Sequence, residues 1–284
     1  RRSALRFVAK TYPIRVFPEN EVLIMVKTLL YRKRFCTALT ALCAIILLSW
    51  LAKAVSFTPY KAEHQGYIAH ACGNIDGIKY TNSREALENC IKRGQFTIEI
   101  DLRKTTDNEL VAVHKWGQFS ELDTVMSSQE FKTVKIMGKY TTLMATQIDS
   151  IWKANPELIL VTDKTSDPEM LNKYFYDIRD RVIVEAFSPH DYFTLAEMGY
   201  KNVYYSGYLP FTKWLKALWK YGEPINAYVV PLDNYLLTRK GLLSRWFINI
   251  FKCKHAVADI KNVEQADSLM RAHPDIEYVY IDEI

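Results

Sequence analysis

Read for apolar and polar positions, the chain opens with one long uncharged stretch and continues as short apolar runs of strand length. The stretch is FCTALTALCAIILLSWLA, 35–52. The runs are YIAH (67–70), FTIEIDL (96–102), LILVT (158–162), VIVEAF (182–187), NVYY (202–205), AYVVP (227–231), HAVAD (255–259) and YVYID (278–282). Helix-like segments separate them, and strand–helix alternation means parallel pairing through crossover helices. Eight such units within 66–284 predict a closed (β/α)8 TIM barrel. The second choice is an open doubly wound sheet. The first helix is the best marked. Asn82 or Ser83 can cap it, Leu87, Cys90 and Ile91 make its buried stripe, and Gly94 follows its end. Segment 115–140 has no clear period and is expected as a loop or small subdomain over the barrel mouth.

The uncharged run of 18 residues is near the lower limit for spanning a hydrocarbon core as a helix. Arg32, Lys33 and Arg34 precede it, so the positive-inside rule keeps 1–34 in the cytoplasm and exports the chain beyond the run. Segment 35–54 is therefore expected to be a transmembrane signal anchor, with 55–65 as linker and the barrel extracytoplasmic at the cell membrane. The alternative is a signal peptide cut after Ala54, since Ala52-Lys53-Ala54 has the small-x-small form and would give a secreted protein. The run exceeds the length usual for cleavable peptides, which favours the anchor. Bulky Leu42 before Cys43 argues against a lipoprotein cysteine. Residue 1 is Arg, and Met25 would open a short basic leader, so 1–24 is expected as an upstream extension or a cytoplasmic tail.

Charge follows the same division. Residues 1–54 hold ten Lys/Arg and two acids, leaving 27 basic against 30 acidic side chains in the remainder. The formal net charge of +5 thus belongs to the N-terminus, which argues against a nucleic-acid partner. Five cysteines do not make a disulfide scaffold. Cys72 and Cys90 read as packed thiols or as one disulfide.

Candidate chemistry sits at strand ends. Along 96–103, Phe96, Ile98, Ile100 and Leu102 face one way, and Thr97, Glu99, Asp101 and Arg103 the other. Two carboxylates on one strand face repel and raise a pKa unless a cation or Arg103 neutralises them. A hard divalent cation does so with oxygen ligands, and Asp163 can supply a third. His70 ends the first run and His114 ends LVAVH, so an acid/base pair for ester cleavage stands beside the carboxylates. His64, His190, His255 and His273 lack such company and are expected at the surface.

The segment E-I-D-L-R-K-T-T-D-N-E-L-V-A-V-H, 99–114, resembles the signature E-x-D-x-x-x-T-x-D-G-x-x-V-x-x-H of the glycerophosphodiester phosphodiesterase family. Glu99, Asp101, Thr105, Asp107, Val111 and His114 fall in register without a gap. I-A-H-x-x-G, with His70 and Gly73, is similar to the family's H-R-G. N-S-R-E-A-L (82–87), E-A-F-S-P (185–189) and V-Y-I-D (279–282) resemble its further motifs. The resemblance covers about 66–284 and implies a barrel related to phosphatidylinositol-specific phospholipase C. It also implies a divalent metal, Ca²⁺ or Mg²⁺, on Glu99, Asp101 and Asp163, and catalysis by His70 and His114. The activity implied is hydrolysis of a phosphodiester such as a glycerophosphodiester, a lysophospholipid or a phosphodiester-linked surface polymer.

This chain departs from the family pattern at Ala71, Thr81, Asn108 and Lys115, which stand for Arg, Glu, Gly and Asp. Lys164 is adjacent to Asp163 where the family places Lys two positions on, so it reaches the site only if the strand has ended or bulged there. Arg103, Lys115 and Lys164 are the candidates to replace the lost Arg charge on the phosphate. The alternative function is a catalytically inactive barrel that binds phosphodiester lipids or polymers. Segments 211–220 and 236–252 are basic, Trp-containing and amphipathic, and are expected to be barrel helices with their apolar faces on the sheet.

Overall fold

The computed structural model describes residues 19–56, 61, 62, 64–119 and 123–282. The chain divides into two compact units between residues 56 and 57. The first unit holds helix α1 (Glu19–Ser56). Among the described residues no helix is long and apolar enough to cross a membrane. The side chains of 49–52, the last four positions of the expected span, lie outside the described residues, as do most of 1–24 and the linker residues 57–60 and 63.

The second unit is a (β/α)8 barrel. Its strands are β1 (Gly66–Ala69), β2 (Thr97–Lys104), β3 (Leu110–Ala112), β4 (Lys135–Ile136), β5 (Tyr140–Thr141), β6 (Ile159–Asp163), β7 (Val182–Ala186), β8 (Asn202–Ser206), β9 (Ala227–Pro231), β10 (Lys254–Ile260) and β11 (Ile276–Ile281). The order β1-β11-β10-β9-β8-β7-β6-β2 is parallel throughout, and a β1–β2 bridge at Ala69 and Ile98 closes it. Strand β3 folds back antiparallel on β2, and β4 and β5 form a separate hairpin. The helices are α2 (Arg84–Lys92), α3 (Ser128–Thr133), α4 (Ala145–Ala154), α5 (Pro168–Phe175), α6 (Pro189–Glu197), α7 (Phe211–Tyr221), α8 (Leu232–Lys240), α9 (Leu242–Ile250) and α10 (Val263–Ala272).

Side-chain alternation splits the core into two layers. Ile98, Ile100 and Leu102 of β2 join Leu160, Val182, Val184 and Val257 under the helices. Ile68, Val161, Ile183, Tyr204, Val229, Tyr278 and Tyr280 fill the barrel itself. Phe96, assigned to the apolar face by alternation, precedes the strand and is 49% exposed. The aperiodic segment after β3 has its own cluster, in which Trp116 and Phe131 pack on Val111, Val113 and Met144. It therefore behaves as a small subdomain.

Four expectations change in detail. Ser83 alone caps α2, accepting from the Ala86 N–H, which frees Asn82 for another task. Segment 236–252 is not one helix; the chain leaves α8 and enters α9 through Gly241, whose backbone is extended. Cys72 and Cys90 are free buried thiols, so the disulfide option falls. His255 is fully buried rather than at the surface. It lies on β10 among the rings of Tyr208, Tyr228 and Tyr235, with Nδ1 3.0 Å from Asp275. Tertiary packing of aromatic rings from three other elements buries it, which its local sequence could not announce. Of the other histidines given to the surface, His64 and His190 are exposed, whereas His273 is half-buried against Tyr235.

Gly73 follows the turn that carries His70, at φ 75°, and a Cβ there would meet the Cys90 sulfur at 2.9 Å. Both the backbone region and the contact penalise a side chain. We expect Gly73→Ala to lower unfolding free energy by about 1–3 kcal/mol, measured by urea denaturation. An unchanged midpoint would show that the turn relaxes freely.

Candidate functional site

The site forms where inward-facing positions of β1, β2, β6, β7 and β11 reach the C-terminal mouth of the barrel. Glu99 and Asp101 leave β2 toward the interior, because their neighbours Ile98, Ile100 and Leu102 are taken by the outer layer. Strands β2 and β6 pair in register with Asp101 opposite Asp163. Ligand oxygens of Glu99, Asp101 and Asp163 consequently lie within 4.8 Å of one another. Asp163 thus faces the cluster and does not merely cap a helix; the cap of α5 is Asp167.

Each histidine is oriented by a carboxylate. His114 Nδ1 lies 2.9 Å from Asp101 Oδ2. His70 Nδ1 lies 2.8 Å from Asp282 Oδ1. A carboxylate accepts only, so each Nδ1 carries the proton and each Nε2 is left to act as base or acid. His70 Nε2 stands 4.0 Å from Glu99. The Tyr80 ring holds both imidazoles, stacking on His114 at 4.9 Å and meeting His70 edge-on at 4.9 Å.

Backbone conformation supports the arrangement. Ala71, Cys72, Tyr80, Asn82 and Lys164 all have positive φ. Such non-glycine strain persists only where the surroundings impose it. The turn at Ala71 aims its N–H at Glu99 Oε2, 2.5 Å away. Asn82 clamps Asp101 twice, donating to Oδ2 at 2.7 Å and accepting from its backbone N–H at 3.0 Å. Lys164 directly follows the last residue of β6, and its φ of 67° turns the side chain back, placing its ammonium 3.2 Å from Asp101 and against Asp163. The strand has therefore ended, the condition under which Lys164 joins the site.

The other two basic candidates differ. Arg103 donates from Nε to the His114 carbonyl at 2.9 Å and so fixes the backbone of that histidine. Lys115 is exposed and begins the turn Trp116–Gln118. Thr105 and Asp107 of the sequence signature act at a distance from the carboxylates. Asp107 accepts from Thr105 and from the backbone and hydroxyl of Ser128, which ties the β2–β3 turn to α3. Asn108 takes φ 58° in that turn, the left-handed conformation glycine would favour.

Electrostatics single out the cluster. Burial, then the Asp101 and Asp163 charges, push Glu99 well above the carboxylate range. Burial acts the same way on Asp101, but the His114 hydrogen bond, the Lys164 ammonium and Asn82 outweigh it and hold it low. Burial would lower the Lys164 pKa, yet Asp101 and Asp163 raise it. Glu99 Oε1 is buried without a hydrogen-bond partner, while Asp101 Oδ1 has only the Lys164 ammonium, 3.2 Å away. An all-oxygen donor set with an orphaned buried acceptor fits a hard divalent cation.

Four participants escaped sequence reasoning. Asp282 and Lys79, 3.2 Å apart, become neighbours of His70 only through the β1–β11 pairing. Tyr80 carries no motif signal. Glu185, on the inner face of β7, accepts from the Tyr280 hydroxyl; burial, with the Asp163 charge second, pushes it up to about 8. Its signals were a charged residue inside the otherwise apolar VIVEAF and its place at the head of the E-A-F-S-P segment, to which no role was given.

No family model matches the chain, and no match is found among the curated proteins. Solved structures do resemble it. A glycerophosphodiester phosphodiesterase from Parabacteroides distasonis aligns with TM-score 0.57 and 14% identity over 78% of this chain and 94% of its own. One from Thermotoga maritima gives 0.52 and 16% over 78% and 96%. An Oleispira antarctica phosphodiesterase, in complex with the product sn-glycerol-3-phosphate, gives 0.54 and 14% over 81% and 95%. At these identities the likeness establishes the barrel fold, across nearly the whole length of each of those proteins.

The raised Glu185 has a consequence for stability. Between the ordinary glutamate value of 4.5 and about 8, the native state keeps a proton that the unfolded chain has released. Stability therefore falls as pH rises through that window, by up to about 1.4 kcal/mol per unit. Burial sets Glu99 working in the same direction. In chelator, Glu185→Gln should flatten the decline of urea midpoints over this range. Parallel declines in both proteins would contradict the assignment.

Proposed function

We propose that the barrel hydrolyses phosphodiesters of the glycerophosphodiester class. The carrying observation is the pairing of two carboxylate-oriented imidazoles with a buried carboxylate cluster that has an orphaned oxygen. The structural neighbours support the class, since the Oleispira antarctica protein was captured with sn-glycerol-3-phosphate. Ca²⁺ or Mg²⁺ held by Glu99, Asp101 and Asp163 would supply Lewis-acid stabilisation of the charge that grows on phosphate oxygens. The chain's own groups do the proton work. One imidazole takes a proton at Nε2 from the attacking water or neighbouring hydroxyl, and the other delivers one from Nε2 to the leaving alkoxide. Asp101 and Asp282 hold the two rings in the required tautomers and orientations. Lys164 adds positive charge on the phosphate side of Asp101 and Asp163. Arg103 acts through His114 by fixing its carbonyl.

We further propose that 35–52 anchors the chain in the cell membrane with the barrel on the extracytoplasmic side. The tribasic flank Arg32-Lys33-Arg34 and the uncharged run support this topology.

His114→Ala and Glu99→Ala should each cut the turnover of a glycerophosphodiester by about 10²-fold or more, with circular dichroism unchanged. Near wild-type turnover in either variant would end the two-histidine, carboxylate-cluster reading. A wild-type protein that binds the diester in chelator yet hydrolyses none with Ca²⁺ or Mg²⁺ would favour the binding-only alternative.

A further inference from the structure

Helix α7 is apolar on two faces. Trp214 and Ala217 are buried against the barrel layer, as expected of a crossover helix. Phe211, Leu215 and Trp219, spaced four residues apart, form a second stripe that points outward. Their exposures are 63%, 43% and 93%. The stripe continues onto the neighbouring helices. Phe211 and the 74% exposed Leu243 of α9 line the same apolar cavity, beside the Trp214–Phe247 ring contact that joins α7 to α9. Leu237 and Leu242 are also more than half exposed. A contiguous apolar surface of this kind on a folded domain marks an interaction site.

Charge identifies the occupant. Residues 211–254 hold eight Lys/Arg and two acids, whereas the rest of 55–284 holds 19 against 28. The positive charge of an otherwise acidic body is gathered beside the exposed stripe. Two of the eight, Arg239 and Lys254, are engaged with Asp275 and Glu277. Lys213, Lys216, Lys220, Lys240 and Arg245 are exposed. On the wheel of α7, Lys216, Lys220 and Lys213 lie directly beyond the apolar stripe, and the helix carries no acid. Long lysine stems lie along apolar surface while their ammonium groups reach a polar layer. An outward Trp, Phe and Leu stripe edged by lysines matches the boundary between headgroups and acyl chains of an anionic bilayer.

We propose that the α7–α9 face docks the barrel on an anionic lipid surface, with Trp219 inserted at the acyl boundary and the α7 lysines on lipid headgroups. Phe211 lies one short loop beyond β8, at the edge of the barrel that bears the catalytic mouth. This contact is separate from any membrane association of residues 35–52.

The test uses the full chain with phosphatidylcholine–phosphatidylglycerol vesicles whose acyl chains are brominated, read by quenching of tryptophan fluorescence. Comparison with Trp219→Phe isolates the Trp219 contribution whatever the N-terminal segment does. Trp219 is 93% exposed, so this substitution leaves the packing intact. The expected result is a Trp219-dependent part of the quenching, read as the difference between wild type and Trp219→Phe, that is present on anionic vesicles and absent on purely zwitterionic ones. Lys213→Glu combined with Lys216→Glu and Lys220→Glu should also abolish it on anionic vesicles. Equal quenching in wild type and Trp219→Phe would overturn the proposal. So would Trp219-dependent quenching that ignores lipid charge. A Trp219-dependent blue shift that appears without lipid and tracks self-association would assign the face to a second copy of the chain and overturn it as well.

Discussion

Crowding of carboxylates in the barrel mouth is the constraint on which the rest of this structure depends. Glu99, Asp101, Asp163 and Glu185 all turn inward from three neighbouring strands. Burial and the neighbouring carboxylate charges push Glu99 and Glu185 toward their neutral forms. The chain supplies a partial answer from its own residues. Lys164 brings an ammonium, Asn82 and His114 bring donors to Asp101, the Ala71 N–H reaches Glu99, and the Tyr280 hydroxyl reaches Glu185. The buried Glu99 Oε1 remains without a donor. An unpartnered oxygen among three clustered carboxylates suits a hard divalent cation.

The strained backbone is explained by the same constraint. The positive φ of Ala71, Asn82 and Lys164 accompanies a donor that each turns toward a carboxylate of the cluster. The lower barrel tolerates this because its interior is closed by large apolar and aromatic side chains and by the β1–β2 bridge. Aromatic packing then sets the distance between the two imidazoles, with Tyr80 between them.

Much of this was legible in the chain itself. The eight strands could be read because parallel barrel strands are buried on both faces and so appear as short apolar runs. Glu99 and Asp101 stood out for the same reason, as charges inside such a run. The third carboxylate could be read only as a candidate, since the strand-end position of Asp163 does not reveal its partner on β2. The direction of Lys164 depended on one backbone angle. Asp282 stayed hidden because its histidine is 212 residues away and becomes adjacent only when the barrel closes. His255 was misplaced because its burial comes from Tyr208, Tyr228 and Tyr235, residues with no sequence relation to it. The outward stripe of α7 was masked because a helix apolar on both faces looks, in sequence, like a helix apolar on one.

The measurement closest to the central claim is anomalous diffraction from crystals of this protein soaked in Mn²⁺, an oxygen-preferring cation with an anomalous signal that Mg²⁺ lacks. The account predicts one anomalous peak among the carboxylates of Glu99, Asp101 and Asp163, with the Lys164 ammonium displaced from Asp163. A cluster that stays free of manganese while Lys164 keeps its contacts to Asp101 and Asp163 would contradict it.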